Sequence, residues 1–141
     1  MIATISTSIQ PICWTTSIAD MSIIDDRYIV SRLLPNTGNM TLEQVIDDLA
    51  SIRQRLGNRK MPKMMVVNKL SGTTSEVRSF YARPDATINL SAEAIVVPSK
   101  ATKMMANFYL RMNQPARPTR VFNNEASALR WMEYYMEPVA F

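Results

Sequence analysis

Residues 92–135 read AEAIVVPSKATKMMANFYLRMNQPARPTRVFNNEASALRWMEYY, and this stretch decides the fold. Ala94 to Val97 is a continuous apolar run closed by Pro98, the pattern of a short strand buried on both faces. Ser99 stands where a helix cap is wanted. Ala101, Met104, Met105, Phe108 and Met112 follow at helical spacing, forming one stripe expected to face a sheet. Asn113, Pro115 and Pro118 end that helix, and Thr119 to Phe122 can form a second strand. Asn123 or Asn124 then caps a last helix carrying Ala128, Trp131, Met132 and Tyr135, with Trp131 expected to pack on the sheet. Two strands joined by a helix make a βαβ unit.

Toward the N-terminus the same logic repeats. Met64 to Val67 is another buried apolar run. After it Thr73 and Glu76 have the spacing of a capping box, ahead of Val77, Phe80 and Tyr81, and Pro84 stops that helix; residues 85–91 read as a linker. Thr41 with Gln44 forms a second box before the stripe Leu42, Val45, Ile46, Leu49, Ile52 and Leu56. Glu43, Asp47 and Asp48 lie early on that helix's polar face, Arg53 and Arg55 late, and Gly57 stands at a left-handed terminus. Ala19, Met21 and Ile23 alternate as in a half-buried strand, Asp25 and Asp26 suggest a tight turn, and Tyr28 to Leu34 gives the strand that returns. The expected architecture is α/β: a mixed β-sheet with an N-terminal antiparallel hairpin, parallel βα crossovers and about four helices. Residues 15–136 form the domain and 137–141 a tail, while residues 1–14 carry no pattern that chooses between an edge strand and a loose segment.

Composition excludes several classes of function. The chain has 141 residues, 47% of them hydrophobic, which suits one domain with its own core. Histidine is absent, so His-bearing triads and His-bearing zinc sites cannot be built. The single Cys13 forms no intrachain disulfide and is expected to be a buried thiol in a reducing compartment. No leader pattern opens the sequence and no apolar run approaches a membrane span, so a cytoplasmic protein is expected. The net charge of +4 is modest, and Arg53, Arg55, Arg59, Lys60 and Lys63 gather near a helix end where cations complement the dipole. Nucleic acid is therefore not the expected partner.

The element order is similar to that of the STAS domain of bacterial anti-sigma-factor antagonists, and more closely to small bacterial SpoIIAA-like proteins, whose fold is related to the lipid-binding CRAL-TRIO domain. The likeness is carried by Ser75 to Arg78, by Ala92 and Ala94 to Val97, by Asn107 to Tyr109, and by Pro115 and Pro118 to Phe122 with Glu125, Ala128, Leu129 and Trp131. STAS antagonists carry a phosphorylatable Ser or Thr at the start of a helix, and Thr73, Thr74 and Ser75 hold the matching place. The acidic residue and following glycine of that motif are missing; Ser71, Gly72 and Thr73 stand instead.

Ser71, Thr73, Thr74 and Ser75 are thus the candidate regulatory or anion site, with capping the simpler role for a hydroxyl there. The 11 methionines are the other unusual feature, since flexible thioethers suit an irregular core or an adaptable apolar surface. Met104, Met105, Phe108, Tyr109 and Met112 are the candidate apolar ligand or interface residues. Asp25 with Asp26 and Asp47 with Asp48 read as solvated pairs, so no catalytic residue, metal or cofactor is expected. The leading expectation is a non-enzymatic module that binds a protein or itself, and the second is a carrier or sensor of an apolar or lipid-like ligand.

Overall fold

The computed structural model describes residues 10–35, 40–68 and 74–138, with the backbone alone at Tyr109. Ten elements follow one another: β1 (Ile12–Thr15), β2 (Ala19–Ile24), β3 (Tyr28–Leu33), α1 (Leu42–Leu56), β4 (Met61–Val66), α2 (Ser75–Tyr81), β5 (Leu90–Val96), α3 (Lys100–Asn113), β6 (Thr119–Phe122) and α4 (Glu125–Glu133). They build one six-stranded sheet in sequence order. The first three strands are antiparallel and β3 to β6 are parallel. Asp25 and Asp26 both have positive φ, and Arg27 N–H closes their turn on Ile24 C=O at 2.9 Å, the geometry that matches the twist of a hairpin.

Parallel strands laid down in order, with crossovers of one hand, must place every crossover helix on the same face. Here α1, α2 and α3 cover one face and α4 the other. Val45, Leu49, Ile52 and Leu56 of α1 pack on Ile18, Met21, Ile23, Ile29 and Met61, together with Val77 of α2. Ala106 and Leu110 of α3 pack on Val67, Val97 and Val121. Ala128 and Met132 of α4 close over Met64, Ala94, Val96 and Phe122 on the opposite face. Trp131 is half-buried there, its ring 5.7 Å from Phe122 and 5.0 Å from Tyr135.

Several expectations are corrected. The strand expected from Met64 starts at Met61, and the one expected from Ala94 starts at Leu90, inside the supposed linker. Residues 1–14 are not wholly loose, because Ile12 to Thr15 add an edge strand; Cys13 on it is exposed, not buried. Ile46 is exposed although it shares a spacing with the α1 stripe. The largest reversal is on α3, where Met104, Met105, Phe108 and Met112 face outward, Met104 at 74% exposure. The apolar residues of α3 span a wide arc that holds both this outer stripe and Ala106 with Leu110, so spacing alone does not choose the inward face. Packing chooses it, because small Ala106 allows close approach to the sheet while the long side chains stay outside.

Candidate functional site

On the face covered by α1, α2 and α3, β3 to β6 place Ile29, Lys63, Glu93 and Thr119 side by side in one cross-strand row. Two opposite charges therefore lie at the centre of an otherwise apolar surface. Lys63 is 1% exposed and Glu93 0%. Such charges persist only when paired and hydrogen-bonded. Arg117, just before β6, donates from Nη2 to Glu93 Oε1 at 2.6 Å and from Nη1 to the Tyr81 carbonyl at 2.9 Å. Tyr81, the last residue of α2, donates its hydroxyl to Glu93 Oε2 at 2.5 Å and accepts from Lys63 Nζ at 2.8 Å. Lys63 Nζ lies 3.6 Å from Glu93 Oε2, and the Arg117 guanidinium lies 4.6 Å from the Tyr81 ring centroid. The network ties β4, β5, α2 and the entry to β6 together.

Above it lies a cavity of about 170 Å³. Apolar walls come from Val45 of α1, Val77 of α2, Ala106 and Leu110 of α3, and Met65 and Ile95 of the sheet. Lys63, Tyr81, Glu93, Arg117 and Ser31 belong to its floor, and Asp48 lines it from α1. The half-exposed lining residues Met40, Arg78, Leu110 and Asn113 mark where it meets the surface. Asp48 is buried, not solvated as expected, and its Oδ1 accepts from Thr16 Oγ1 at 2.6 Å. Ser31 Oγ and Arg117 Nε are buried with no hydrogen-bond partner, an arrangement that costs about 1–3 kcal/mol per group until something supplies one.

The protonation states of the floor are fixed around neutral pH. Burial pushes the Tyr81 hydroxyl up to about 12, helped by the Glu93 carboxylate. Burial pulls the Lys63 ammonium down, but Tyr81, Glu93 and Asp48 together outweigh it and hold it above its ordinary value. Burial likewise works against the Glu93 carboxylate, yet Arg117 and Lys63 keep its pKa below the ordinary one. The linkage signs follow. Glu93 contributes stability above the usual carboxylate range that is lost as pH falls through its lowered pKa. Lys63 and Tyr81 contribute stability that is complete below their unfolded values and is lost as pH rises through the folded ones. The urea midpoint is therefore expected to be level across neutral pH and to fall on both sides, the alkaline fall starting near the ordinary tyrosine value of 10.0. A midpoint that rose between pH 10 and 12 would contradict this arrangement.

The residues singled out from the sequence lie elsewhere. Ser71 and Thr73 are outside the described residues, so the capping box expected at Thr73 is not seen; Thr74 is the cap of α2, accepting from Val77 N–H at 3.2 Å. Ser75 is exposed at the first position of that helix. Thr74→Ala is expected to cost about 1 kcal/mol and Thr74→Asp close to nothing, since aspartate keeps an acceptor at the helix start; thermal denaturation checks both. Met104, Met105, Phe108 and Met112 sit on the outer side of α3 and none lines the cavity, while of Tyr109 only the backbone is described.

Lys63, Tyr81, Glu93 and Arg117 were not found from the sequence. By its sequence neighbours Lys63 reads as a helix-end charge, but it lies inside β4. A signal existed: Lys63 immediately precedes the apolar run Met64 to Val67, and Glu93 immediately precedes Ala94 to Val97. Opposite charges at the same offset in two neighbouring buried strands meet across the sheet.

No group of three or more Cys, Asp or Glu among the described residues could hold a metal ion, and none of their helices is long and apolar enough to cross a membrane. Among solved structures the chain is similar to an uncharacterised protein of the DUF3478 family with a SpoIIAA-like fold from Shewanella loihica PV-4. The TM-score is 0.54 at 13% identity, covering 94% of this chain and 99% of that one. At that identity the likeness shows the fold alone, and the fold is SpoIIAA-like. A protein of unknown function from Arthrobacter sp. FB24 aligns at 25% identity over 81% of this chain and 92% of its own, with a TM-score of 0.30 that supports no further comparison. No curated protein matches. Residues 24–136 match the domain of unknown function DUF7793, and the chain belongs to that family.

Proposed function

We propose that this protein is a non-enzymatic binding module whose cavity takes a small, mostly apolar molecule. The cavity itself carries the reading: about 170 Å³ of space walled by Val, Leu, Ile and Ala side chains, with polar groups confined to one side. A void of this size holds a body of roughly six to ten non-hydrogen atoms, judged against the cavity of about 150 Å³ that takes benzene. The buried floor argues against acid–base catalysis, because Lys63, Tyr81 and Glu93 are each held away from the protonation change near neutral pH that a general acid or base needs.

Native mass spectrometry of the purified protein, together with melting in the presence of toluene, tests this reading. A bound extra mass, or a rise in melting temperature with toluene that is lost in Ala106→Leu, is expected, since leucine at that position on α3 fills the cavity. No bound mass and no toluene effect on the folded wild type would remove the ligand reading.

The outer face of α3 favours a second role in self-association or protein contact. Met104, Met105, Phe108 and Met112 together present a group of large apolar side chains that one face of a monomer rarely shows. Light scattering of wild type against Met104→Glu/Met112→Glu tests it: a multimer that the substitutions dissociate supports the contact, and a monomeric wild type at high concentration counts against self-association.

A further inference from the structure

The charged groups that line the cavity are spent on one another. Glu93 accepts from Arg117 on Oε1 at 2.6 Å and from the Tyr81 hydroxyl on Oε2 at 2.5 Å, and Lys63 Nζ lies 3.6 Å from the same Oε2. Asp48, the other buried carboxylate, accepts from Thr16 at 2.6 Å and adds to the negative charge that Lys63 feels. Lys63 and Arg117 thus stand against Glu93 and Asp48, all four buried, and their charges cancel. Arg78, half-exposed at the mouth, already has a partner within the protein. Ser31 Oγ and Arg117 Nε lack partners, but both have essentially no surface that a molecule in the cavity could meet. What the cavity does present is apolar, from Val45, Met65, Val77, Ile95, Ala106 and Leu110.

An ion entering this space would give up its water and find no unspent opposite charge in its place, whichever its sign. An uncharged apolar body meets no such cost and gains from leaving water. Resting on the binding role proposed above, we infer that the ligand is an uncharged, hydrocarbon-like molecule, selected by its size and its lack of charge, and that Lys63, Tyr81, Glu93 and Arg117 brace the cavity rather than recognise what fills it. The four side chains join β4, β5, α2 and the entry to β6, which form the floor and one wall of that space.

Calorimetric titration with four probes sharing one ring, toluene, benzyl alcohol, benzylamine and benzoate, tests the assignment. At neutral pH toluene is expected to bind tightest, and the ammonium and carboxylate forms at least about tenfold more weakly than benzyl alcohol, because neither ion recovers its lost hydration. Lowering the pH until the benzoate carboxyl protonates is expected to raise its affinity, the opposite of what a cationic recognition site would show. Tyr81→Phe, checked for folding by circular dichroism, removes the central hydroxyl and keeps the ring; its melting temperature is expected to fall while its toluene affinity stays that of wild type. Benzoate or benzylamine binding as tightly as benzyl alcohol at neutral pH overturns the uncharged class while leaving the cavity as a binding site. Loss of toluene binding in folded Tyr81→Phe overturns the bracing role. Failure of all four probes to bind the folded wild type overturns the inference together with the binding role.

Discussion

Replacing Glu93 with alanine is expected to lower folding stability by about 3–5 kcal/mol, because it leaves Lys63 and Arg117 buried without their common counter-ion. The loss reflects uncompensated charge rather than lost packing, and a second variant separates the two. A triple change, Lys63→Met with Glu93→Leu and Arg117→Met, removes both signs at similar volume and is expected to recover most of that stability. Urea denaturation of the three proteins measures both effects. A Glu93→Ala protein within about 1 kcal/mol of wild type would mean that water or another group reaches the cations, contrary to their burial.

Phe122→Ala is expected to cost about 3–5 kcal/mol by opening a void where β6, at the edge of the sheet, packs under α4. Phe122 ends β6, is 8% exposed, and packs with Ala128 and Met132 of α4 and with the Trp131 ring. Trp131→Ala should cost less, since that ring is only half-buried. Met104→Ala on the outer side of α3 should change stability by no more than about 0.5 kcal/mol, as surface substitutions usually do. Hydrogen exchange in α4 should accelerate in the Phe122 variant and not in the Met104 variant, and a Phe122 loss no larger than that at Met104 would place the core elsewhere.

Most of the architecture was legible because local signals agreed with one another. The Thr41 and Gln44 side chains bond reciprocally at the start of α1, Ser99 caps α3, Asn124 caps α4, and the apolar runs at Met64 and Ala94 lie in central parallel strands. The orientation of α3 was not legible. Its apolar residues cover a wide arc, and which of them turn inward depends on the sheet beneath, which lies at a distance in sequence. The site was hidden for a related reason. Its members come from β4, α2, β5 and the turn before β6, and a lysine or glutamate beside an apolar run looks like the boundary of a strand. Only the pairing of β4 with β5, which sets Lys63 against Glu93, shows that both are interior.

The sequence-ordered sheet also bears on how the chain folds as it is synthesised. Each strand pairs with the one made just before it, so a growing chain can extend its sheet without waiting for distant segments. Two parts cannot be completed early. Lys63 and Glu93 meet once β5 has been made, but Arg117 arrives only with the entry to β6. The surface of Met64, Ala94 and Val96 stays bare until α4, the last helix, folds back over it. The interval in which this nascent chain is most open to aggregation is therefore the one between completion of β5 and emergence of α4.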